Sequence, residues 1–246
     1  MTQSDSHRVK DYFDDLSRDI TPVQVHHAAR VLYAPVSKDP EFTRRCASVL
    51  SETELQRAER FITPADRSLF IQRRAFRRFC GVLSVGSSQS LSRVVFEETE
   101  NGRPYLPDRP DLWFSFSSCR FGFLGAWSSE PGIGVDIEDR TRNPGATELA
   151  RQFFSVAEAK AVEDPGKLAT LQSFLKFWSL KEAALKSIGE GLPFGLDAFE
   201  FELNPRLRVV RVPPGYGGPE EFSAHEVDGL QSCTAMVIRN LGHISR

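Results

Sequence analysis

The sequence predicts an α+β protein with two pseudo-equivalent lobes, each a small antiparallel sheet packed with helices. Runs with the strand period of two and runs with the helical period of 3.6 both recur along the 246 residues. Each half supplies helices and an antiparallel set of strands, although no strict sequence repeat relates the halves. We expect a polar, frayed N-terminal extension at residues 1–20, an N-terminal lobe at residues 20–125 and a C-terminal lobe at residues 126–246.

The composition argues against several classes of protein. The chain is 40% apolar and 26% charged, which is ordinary for a globular protein, and its net charge of −2 lacks the basic excess of nucleic-acid-binding proteins. No apolar run approaches the roughly 18 residues that span a membrane, and residues 1–15 contain no apolar signal core. The cysteines form no CxxC pair, so we expect free thiols in a reducing cytoplasm and no zinc site. They are Cys46, Cys80, Cys119 and Cys233.

Caps and periodicity predict the elements of the first half. In "SETE", Ser51 and Glu54 form a capping box that begins a helix. A second helix begins at Pro64 and carries an apolar stripe, and we expect its arginines at positions 73–78 to lie partly on a solvated face, with no ligand role for Arg73, Arg77 or Arg78. The predicted helices are at residues 52–60 and from residue 64, and the predicted strands at residues 23–35, 93–98, 112–118 and 121–128.

The second half repeats this organisation. "SVAE" at residues 155–158 is another capping box, which begins a helix ending near Asp164. A long helix should run from about Leu168 to Ile188, with Gly189 as its left-handed stop. "GIGVDIE" predicts a central strand on which Ile133, Val135 and Ile137 share a face. Further strands are predicted at residues 198–203, 206–212 and 234–240.

Two carboxylates in "GVDIE" form the first motif of chemical interest. Asp136 and Glu138 are two residues apart on a predicted strand, so they project from one face, about 7 Å apart along the chain. Such hard oxygen ligands suit Mg²⁺, which takes one or two protein carboxylates together with water and substrate phosphates. The alternative is a solvated acidic pair at the end of a strand, and the spacing alone leaves both interpretations open.

The second motif lies in "FWSLKEAALK". Residues four apart on a helix are neighbours, so Trp178, Glu182 and Lys186 form one ridge. Taken alone, Glu182 and Lys186 fit a surface ion pair worth about 0.3–0.5 kcal/mol. Taken with the strand carboxylates, they add a base and a cation for phosphate to a metal site. That combination indicates phosphoryl-group chemistry, in which positioning and charge neutralisation do most of the catalysis.

"GVDIE" and "WSLKEAALKSIGEGL" resemble the two signature motifs of the Sfp-type 4′-phosphopantetheinyl transferases. The resemblance extends more weakly to the first-half helix "RFITPADRSLFIQRRAFRRFCG", the turn "NGRPYLP", the segment "RQFFSVAEA" and the stretch "GLPFGLDAFEFEL". It implies an enzyme that uses Mg²⁺ to move phosphopantetheine from coenzyme A to a serine of an apo acyl or peptidyl carrier protein, releasing 3′,5′-ADP.

The resemblance also implies roles for particular residues. Asp136 matches the principal Mg²⁺ ligand, Glu138 a second carboxylate that is a ligand in some members, and Glu182 a metal ligand and candidate base. Lys186 matches a cation near the scissile phosphate. Residues that match binders of the coenzyme phosphates are Arg67 and Arg103, with Arg74 as a weaker candidate.

One departure from the family pattern affects the coenzyme site. The family has an "SHS"-like strand end whose histidine touches the coenzyme phosphates, whereas this chain has Ser117, Ser118 and Cys119 there. Serine donates a hydrogen bond but carries no charge, so we expect weaker coenzyme binding unless Arg120 compensates. For the adjacent His26 and His27, in a predicted strand, we expect a structural role.

Two alternatives to the transferase remain open at this point. One is a catalytically weak or inactive homologue that binds coenzyme A or a carrier protein, and the other is a metal-dependent coenzyme A phosphohydrolase. The sequence leaves the carrier's pathway open between fatty-acid, polyketide and non-ribosomal peptide synthesis. We expect a cytoplasmic monomer with no nucleic-acid or membrane partner.

Overall fold

The computed structural model of the protein describes residues 3–19, 29–86, 89–130, 132–141, 145–164, 169–226 and 232–239. Its helices and small antiparallel sheets confirm the α+β fold class. Within these residues, no helix has both the length and the apolar character needed to cross a bilayer.

The first half builds a four-stranded antiparallel sheet covered by helices. Its strand order is β1-β2-β6-β5, and a separate two-stranded sheet pairs β3 with β4. The elements are α1 (Gln3–Leu16), β1 (Arg18–Asp19), β2 (Ala29–Pro35), α2 (Pro40–Ala47), α3 (Glu52–Glu59), α4 (Pro64–Ser84), β3 (Glu97–Glu98), β4 (Pro104–Tyr105), β5 (Trp113–Cys119) and β6 (Gly122–Ser128).

The second half builds a three-stranded antiparallel sheet of order β10-β11-β7 and a two-stranded sheet of β8 and β9. Its long helix, α7, packs against β7 and β11. The elements are β7 (Ile133–Asp139), α5 (Ala146–Phe153), α6 (Val156–Glu163), α7 (Thr170–Ser187), β8 (Glu200–Glu202), β9 (Arg208–Arg211), β10 (Phe222–Glu226) and β11 (Ser232–Arg239).

Among the described residues, three apolar clusters form the core. One lies among the helices and sheet of the first half, and one lies around α7 in the second. The third joins the halves, because it contains Val31 of β2, Leu124 of β6, Val135 of β7 and Met236 of β11. The expected boundary between residues 125 and 126 falls inside β6, and we propose to divide the lobes after Ser128 so that the first sheet stays whole.

The predicted caps are present. Ser51 and Glu54 exchange both hydrogen bonds of a capping box, as do Ser155 and Glu158. Gly189 has a φ of +79°, the left-handed conformation expected after the end of the long helix. The capping boxes therefore predicted where α3 and α6 begin, and Gly189 predicted where α7 ends.

Four expectations about elements were wrong. The strand at "GIGVDIE", β7, is not central but lies at an edge of its three-stranded sheet. Residues 3–16 form α1 and are not frayed, because Val9 and Phe13, one helical turn apart, are both fully buried. Residues 93–96 are not in a strand: Leu91–Arg93 is a 3₁₀ turn and only Glu97–Glu98 pairs. The arginines at positions 73–78 do not lie on a solvated face, because none of them is exposed and Arg78 is only 4% exposed. The elements not predicted also include α2, α5, β1, β4 and β10. His26 and His27 lie outside the described residues.

Candidate active site

The site lies where the edge strands β5 and β7 of the two larger sheets run side by side. Side chains of β5, and not a backbone ladder, connect the two strands. The Val135 N–H donates to Ser115 Oγ at 3.0 Å, and Ser117 Oγ donates to Asp136 Oδ1 at 2.7 Å. The first sheet therefore holds the carboxylate of Asp136, which the second sheet supplies.

Alternation along β7 separates its core face from its chemical face. The core face consists of Ile133, Val135 and Ile137, which share a face as predicted, and it lies in the cluster that joins the halves. The opposite face carries Asp136, which is 2% exposed, and Glu138, which is 9% exposed. The two carboxylates therefore share a face, but they are buried, unlike a solvated acidic pair at a strand end.

Gly134 allows α7 to lie directly on this chemical face. A Cβ at position 134 would come within 1.8 Å of the Ala183 carbonyl oxygen and 2.5 Å of the Ser187 backbone nitrogen. Both neighbours are helix backbone atoms, so a side chain would push α7 away from β7. The close approach brings Lys186, on α7, within reach of Asp136.

Lys186 Nζ lies between two carboxylates. It is 2.7 Å from Asp136 Oδ1 and 3.2 Å from Glu182 Oε2. Trp178 Nε1 donates to Glu182 Oε1 at 2.9 Å, which confirms the ridge expected along the helix. Because the Lys186 side chain is only 27% exposed and also binds buried Asp136, the interpretation as a simple surface ion pair does not apply.

The surroundings shift the pKa values of both helix residues. Burial raises the pKa of Glu182, and the charge of Asp136 raises it further, against the opposing effect of Lys186 and Trp178. Burial by itself would lower the pKa of Lys186, but Asp136 and Glu182 outweigh it and the pKa is raised. The arrangement thus favours a protonated lysine beside a carboxylate of increased basicity.

A metal ion can be held here only by carboxylate oxygens that are not already used in hydrogen bonds. Asp136 Oδ2 is buried and has no hydrogen-bond partner among the described residues, although such atoms are normally paired. Within the same residues, no three His, Cys, Asp or Glu side chains are arranged as a metal cluster. The site therefore presents an orphaned carboxylate oxygen close to a second carboxylate, Glu182, with one ammonium group between them.

A pocket of about 160 Å³ adjoins Lys186. Arg103 lies in its wall, and the guanidinium stacks 4.1 Å from the centre of the Trp113 ring. Burial lowers the pKa of Arg103. The structure thus brings together two of the cations that the sequence assigned to phosphate, Arg103 and Lys186.

Arg67 and Arg74 lie elsewhere. Arg67 is exposed near the start of α4, where its Nη2 donates to the Glu59 carbonyl oxygen at 3.4 Å. Arg74 Nε forms an ion pair of 2.6 Å with Glu54. Neither lines the pocket beside Lys186.

The serines at the end of β5 have different partners. Ser117 binds Asp136, whereas Ser118 Oγ lies 3.5 Å from Arg73 Nη1. Arg120 Nε pairs with Asp139 Oδ2 at 2.6 Å. The cation beside Ser118 is therefore Arg73, which the sequence analysis had given no ligand role, and not Arg120.

Lys181 and Glu158 form a second buried charge pair, which the sequence pattern did not predict. Lys181 Nζ lies 2.7 Å from Glu158 Oε2, and both side chains are fully buried. Lys181 also donates to the carbonyl oxygens of Leu196 and Phe199, at 3.0 and 2.6 Å. Burial lowers the pKa of Lys181 in spite of this partner. The available signal was that Lys181 follows Phe174 and Phe177 at helical spacing and so lies on the apolar face of α7.

Comparison with known proteins places the chain in a family. The sequence model of the 4′-phosphopantetheinyl transferase superfamily matches residues 132–230. The chain is 33% identical over 189 residues to the 4′-phosphopantetheinyl transferase Sfp of Bacillus subtilis (strain 168), an alignment that covers 73% of this chain and 83% of that protein. It is 30% identical over 176 residues to the 4′-phosphopantetheinyl transferase HetI of Nostoc sp., covering 70% and 72%.

A vertebrate protein is also similar. The L-aminoadipate-semialdehyde dehydrogenase-phosphopantetheinyl transferase of Xenopus laevis is 28% identical over 173 residues, which cover 65% of this chain and 56% of that protein. The matched superfamily region contains both motifs of the site, including Asp136 and Lys186. The chain therefore belongs to the 4′-phosphopantetheinyl transferase superfamily.

Proposed function

We propose that this enzyme transfers 4′-phosphopantetheine from coenzyme A to a serine of an apo acyl or peptidyl carrier protein and releases 3′,5′-ADP. Membership of the superfamily makes the chain a 4′-phosphopantetheinyl transferase. The observation that best supports the details is the position of the Lys186 ammonium, between the carboxylates of Asp136 and Glu182 and at the edge of a cationic pocket.

Coenzyme A would place its phosphates against the cations of this region. Arg103 and Lys186 line the pocket, and Arg73 provides positive charge beside Ser118. The pocket of about 160 Å³ is smaller than the ~300–1,000 Å³ of sites that enclose a whole small molecule, so it would hold only part of the coenzyme.

Glu182 and Lys186 are suited to the two proton-dependent parts of the reaction. The serine oxygen of the carrier forms a bond to the β-phosphorus of coenzyme A while the bond from that phosphorus to the 5′-phosphate oxygen of 3′,5′-ADP breaks. Glu182, with its raised pKa, accepts the serine proton. Lys186, with its raised pKa, stays protonated and offsets the charge on the departing oxygen.

Mg²⁺ fits the oxygens available at the site. We propose that Asp136, through the orphaned Oδ2, and Glu182 would hold it, and that Glu138 contributes from the same face of β7. When bound, the ion would neutralise negative charge on the phosphates of coenzyme A.

A carrier-modification assay tests this function. The protein, coenzyme A and Mg²⁺ are incubated with apo carriers from fatty-acid, polyketide and non-ribosomal peptide systems, and each carrier is weighed by mass spectrometry. We expect at least one carrier to gain a single phosphopantetheine group, and Asp136→Asn, checked for folding by circular dichroism, to lose this activity. If no carrier gains mass while coenzyme A is cleaved in their absence, the protein is a phosphohydrolase; if it binds coenzyme A and leaves it intact with every carrier, it is a binding homologue.

We further propose that the protein is a cytoplasmic monomer. All four cysteines are free thiols, which suits a reducing compartment. Light scattering coupled to gel filtration should give a mass near the 27.6 kDa of the chain, and a stable mass near twice that value would contradict the proposal.

A further inference from the structure

Arg77 of α4 is a third cation in the wall of the pocket that Arg103 and Lys186 line. Its guanidinium lies 5.2 Å from the centre of the Phe116 ring, and its side chain is 18% exposed. The guanidinium is therefore held by packing in a largely dehydrated position at the pocket.

The charge of Arg77 is poorly neutralised by the protein. Within the described residues, the carboxylate that contacts it is Glu98, which is half exposed and 3.4 Å away. Arg77 Nε is buried without a hydrogen-bond partner among these residues. Burial and the neighbouring cations Arg74 and Arg73 lower the pKa of Arg77 to about 10. A buried cation in these surroundings is stabilised by an anionic partner.

The next residue on the helix shows the contrast. Arg78 Nη2 lies 2.6 Å from Glu54 Oε2, and Arg78 Nη1 donates to the carbonyl oxygens of Leu91, Ser92 and Val94. Arg78 therefore connects α4 to α3 and to the following turn, whereas Arg77 lines a pocket and contacts only the half-exposed Glu98 among the described carboxylates.

We propose that Arg77 is a substrate-binding residue of this enzyme, which together with Arg103 and Lys186 holds the diphosphate of coenzyme A. This inference depends on the proposed function. We favour the diphosphate over the 3′-phosphate because the bond that breaks lies in the diphosphate. The pocket adjoins Lys186, which contacts the proposed catalytic carboxylates Asp136 and Glu182. Glu190 is an acidic residue that also lines the pocket. Its carboxylate accepts hydrogen bonds from Asn101 at 2.9 Å and Tyr216 at 3.1 Å, and these two residues are its partners in place of Arg77.

Calorimetric titration separates this role from a structural one. Coenzyme A, 3′-dephospho-coenzyme A and 3′,5′-ADP are titrated into the wild type, Arg77→Gln, Arg77→Lys and the control Arg44→Gln. Arg44 is a suitable control because it is 75% exposed on α2 and pairs there with Glu41. We expect Arg77→Gln to weaken coenzyme A binding about 10- to 100-fold, as for loss of a charge-assisted bond, Arg77→Lys to weaken it less, and Arg44→Gln to leave it unchanged.

The two shortened ligands identify the phosphate. If Arg77 holds the diphosphate, Arg77→Gln weakens coenzyme A and its 3′-dephospho form by the same factor. A loss confined to ligands with the 3′-phosphate would overturn the assignment, as would an unchanged dissociation constant for coenzyme A in a folded Arg77→Gln protein. If that variant unfolds, Arg77→Lys decides, because coenzyme A binding as tight as in the wild type would contradict the proposed contact of the guanidinium with the diphosphate.

The same preparations distinguish failure of this inference from failure of the proposed function. Wild-type protein that modifies a carrier, together with Arg77 variants that bind coenzyme A normally, refutes only the role of Arg77. Wild-type protein that binds coenzyme A through Arg77 but modifies no carrier refutes only the transferase activity.

Discussion

Replacing Lys181 by methionine tests whether its buried ion pair stabilises α7. Lys181 and Glu158 are fully buried and 2.7 Å apart, so the substitution leaves a carboxylate without its counter-ion and two carbonyl oxygens without a donor. Breaking one partner of a buried pair costs about 3–5 kcal/mol. Because a domain's total free energy of unfolding is about 5–15 kcal/mol, we expect a large loss of stability.

Urea unfolding followed by circular dichroism measures this loss. A suitable control is Arg151→Met, because Arg151 pairs with Glu163 at 2.5 Å but is 64% exposed. An exposed pair contributes about 0–1 kcal/mol, so the control should unfold at nearly the wild-type midpoint. Both variants replace a cation by the same apolar side chain, and the comparison therefore isolates the effect of burial.

A double variant shows whether the cost comes from the unpaired charge. Glu158 also accepts hydrogen bonds at 2.9 Å from the backbone N–H groups of Ser155 and Phe201. Glutamine at position 158 removes the unpaired charge, but its single amide oxygen replaces only one of the two carboxylate oxygens that accept these bonds. Adding Glu158→Gln to Lys181→Met should therefore restore only part of the loss, about 1 kcal/mol. The reasoning fails if Lys181→Met loses no more than the Arg151 control, or if the double variant is less stable than Lys181→Met.

Three further predictions concern packing, acid stability and the departure from the family pattern. Gly134→Ala should lower the free energy of unfolding by about 2–3 kcal/mol and slow transfer, because the new Cβ would lie 1.8 Å from the Ala183 carbonyl oxygen; an unchanged urea midpoint would contradict the close approach. Glu54 has its pKa lowered from 4.5 to about 2: burial opposes the shift, but a backbone hydrogen bond and two arginines outweigh it. The stabilisation that ionised Glu54 contributes is therefore complete above pH 4.5 and is lost as the pH falls towards 2. The loss is up to about 3 kcal/mol, or about 1–2 kcal/mol after solvent screening. Between these pH values, the free energy of unfolding should therefore depend less on pH in Glu54→Gln than in the wild type. Ser118→His should not tighten coenzyme A binding below pH ~6.5, because Arg73 already lies 3.5 Å away, whereas Arg73→Gln should weaken it; tighter binding by the histidine variant in calorimetry would show that the position lacks a cation.

Local signals in the sequence predicted most of the helices and the ridge on α7. Both capping boxes, the stop at Gly189 and the shared ridge of Trp178, Glu182 and Lys186 depend on residues within a few positions of one another. Helix α1 was missed because its apolar residues, Val9 and Phe13 among them, are few in a polar segment. Their burial comes from distant partners, such as the ring of Phe42.

The contacts that assemble the site are long-range, and the sequence pattern did not predict them. Asp136 and Lys186 are fifty positions apart, and their 2.7 Å contact requires α7 to lie on β7. Glu158 was interpreted only as a helix cap. Its carboxylate also contacts Lys181 on α7 and the backbone N–H of Phe201 on β8. Arg77 was assigned to a partly solvated helix face because periodicity does not show that another strand covers that face.

The contact between Gly134 and α7 makes "GVDIE" a single transplantable unit. The glycine sets the spacing between strand and helix, the apolar residues anchor the strand, and the carboxylate of Asp136 meets the lysine of the helix. A designer who grafts only the two acids onto another edge strand would keep that strand at the ordinary distance from its covering helix, and the lysine would then fall short of the carboxylate. Reconstruction of this site in a new scaffold must therefore copy the bare backbone position two residues before the first acid, even though it contributes no functional group.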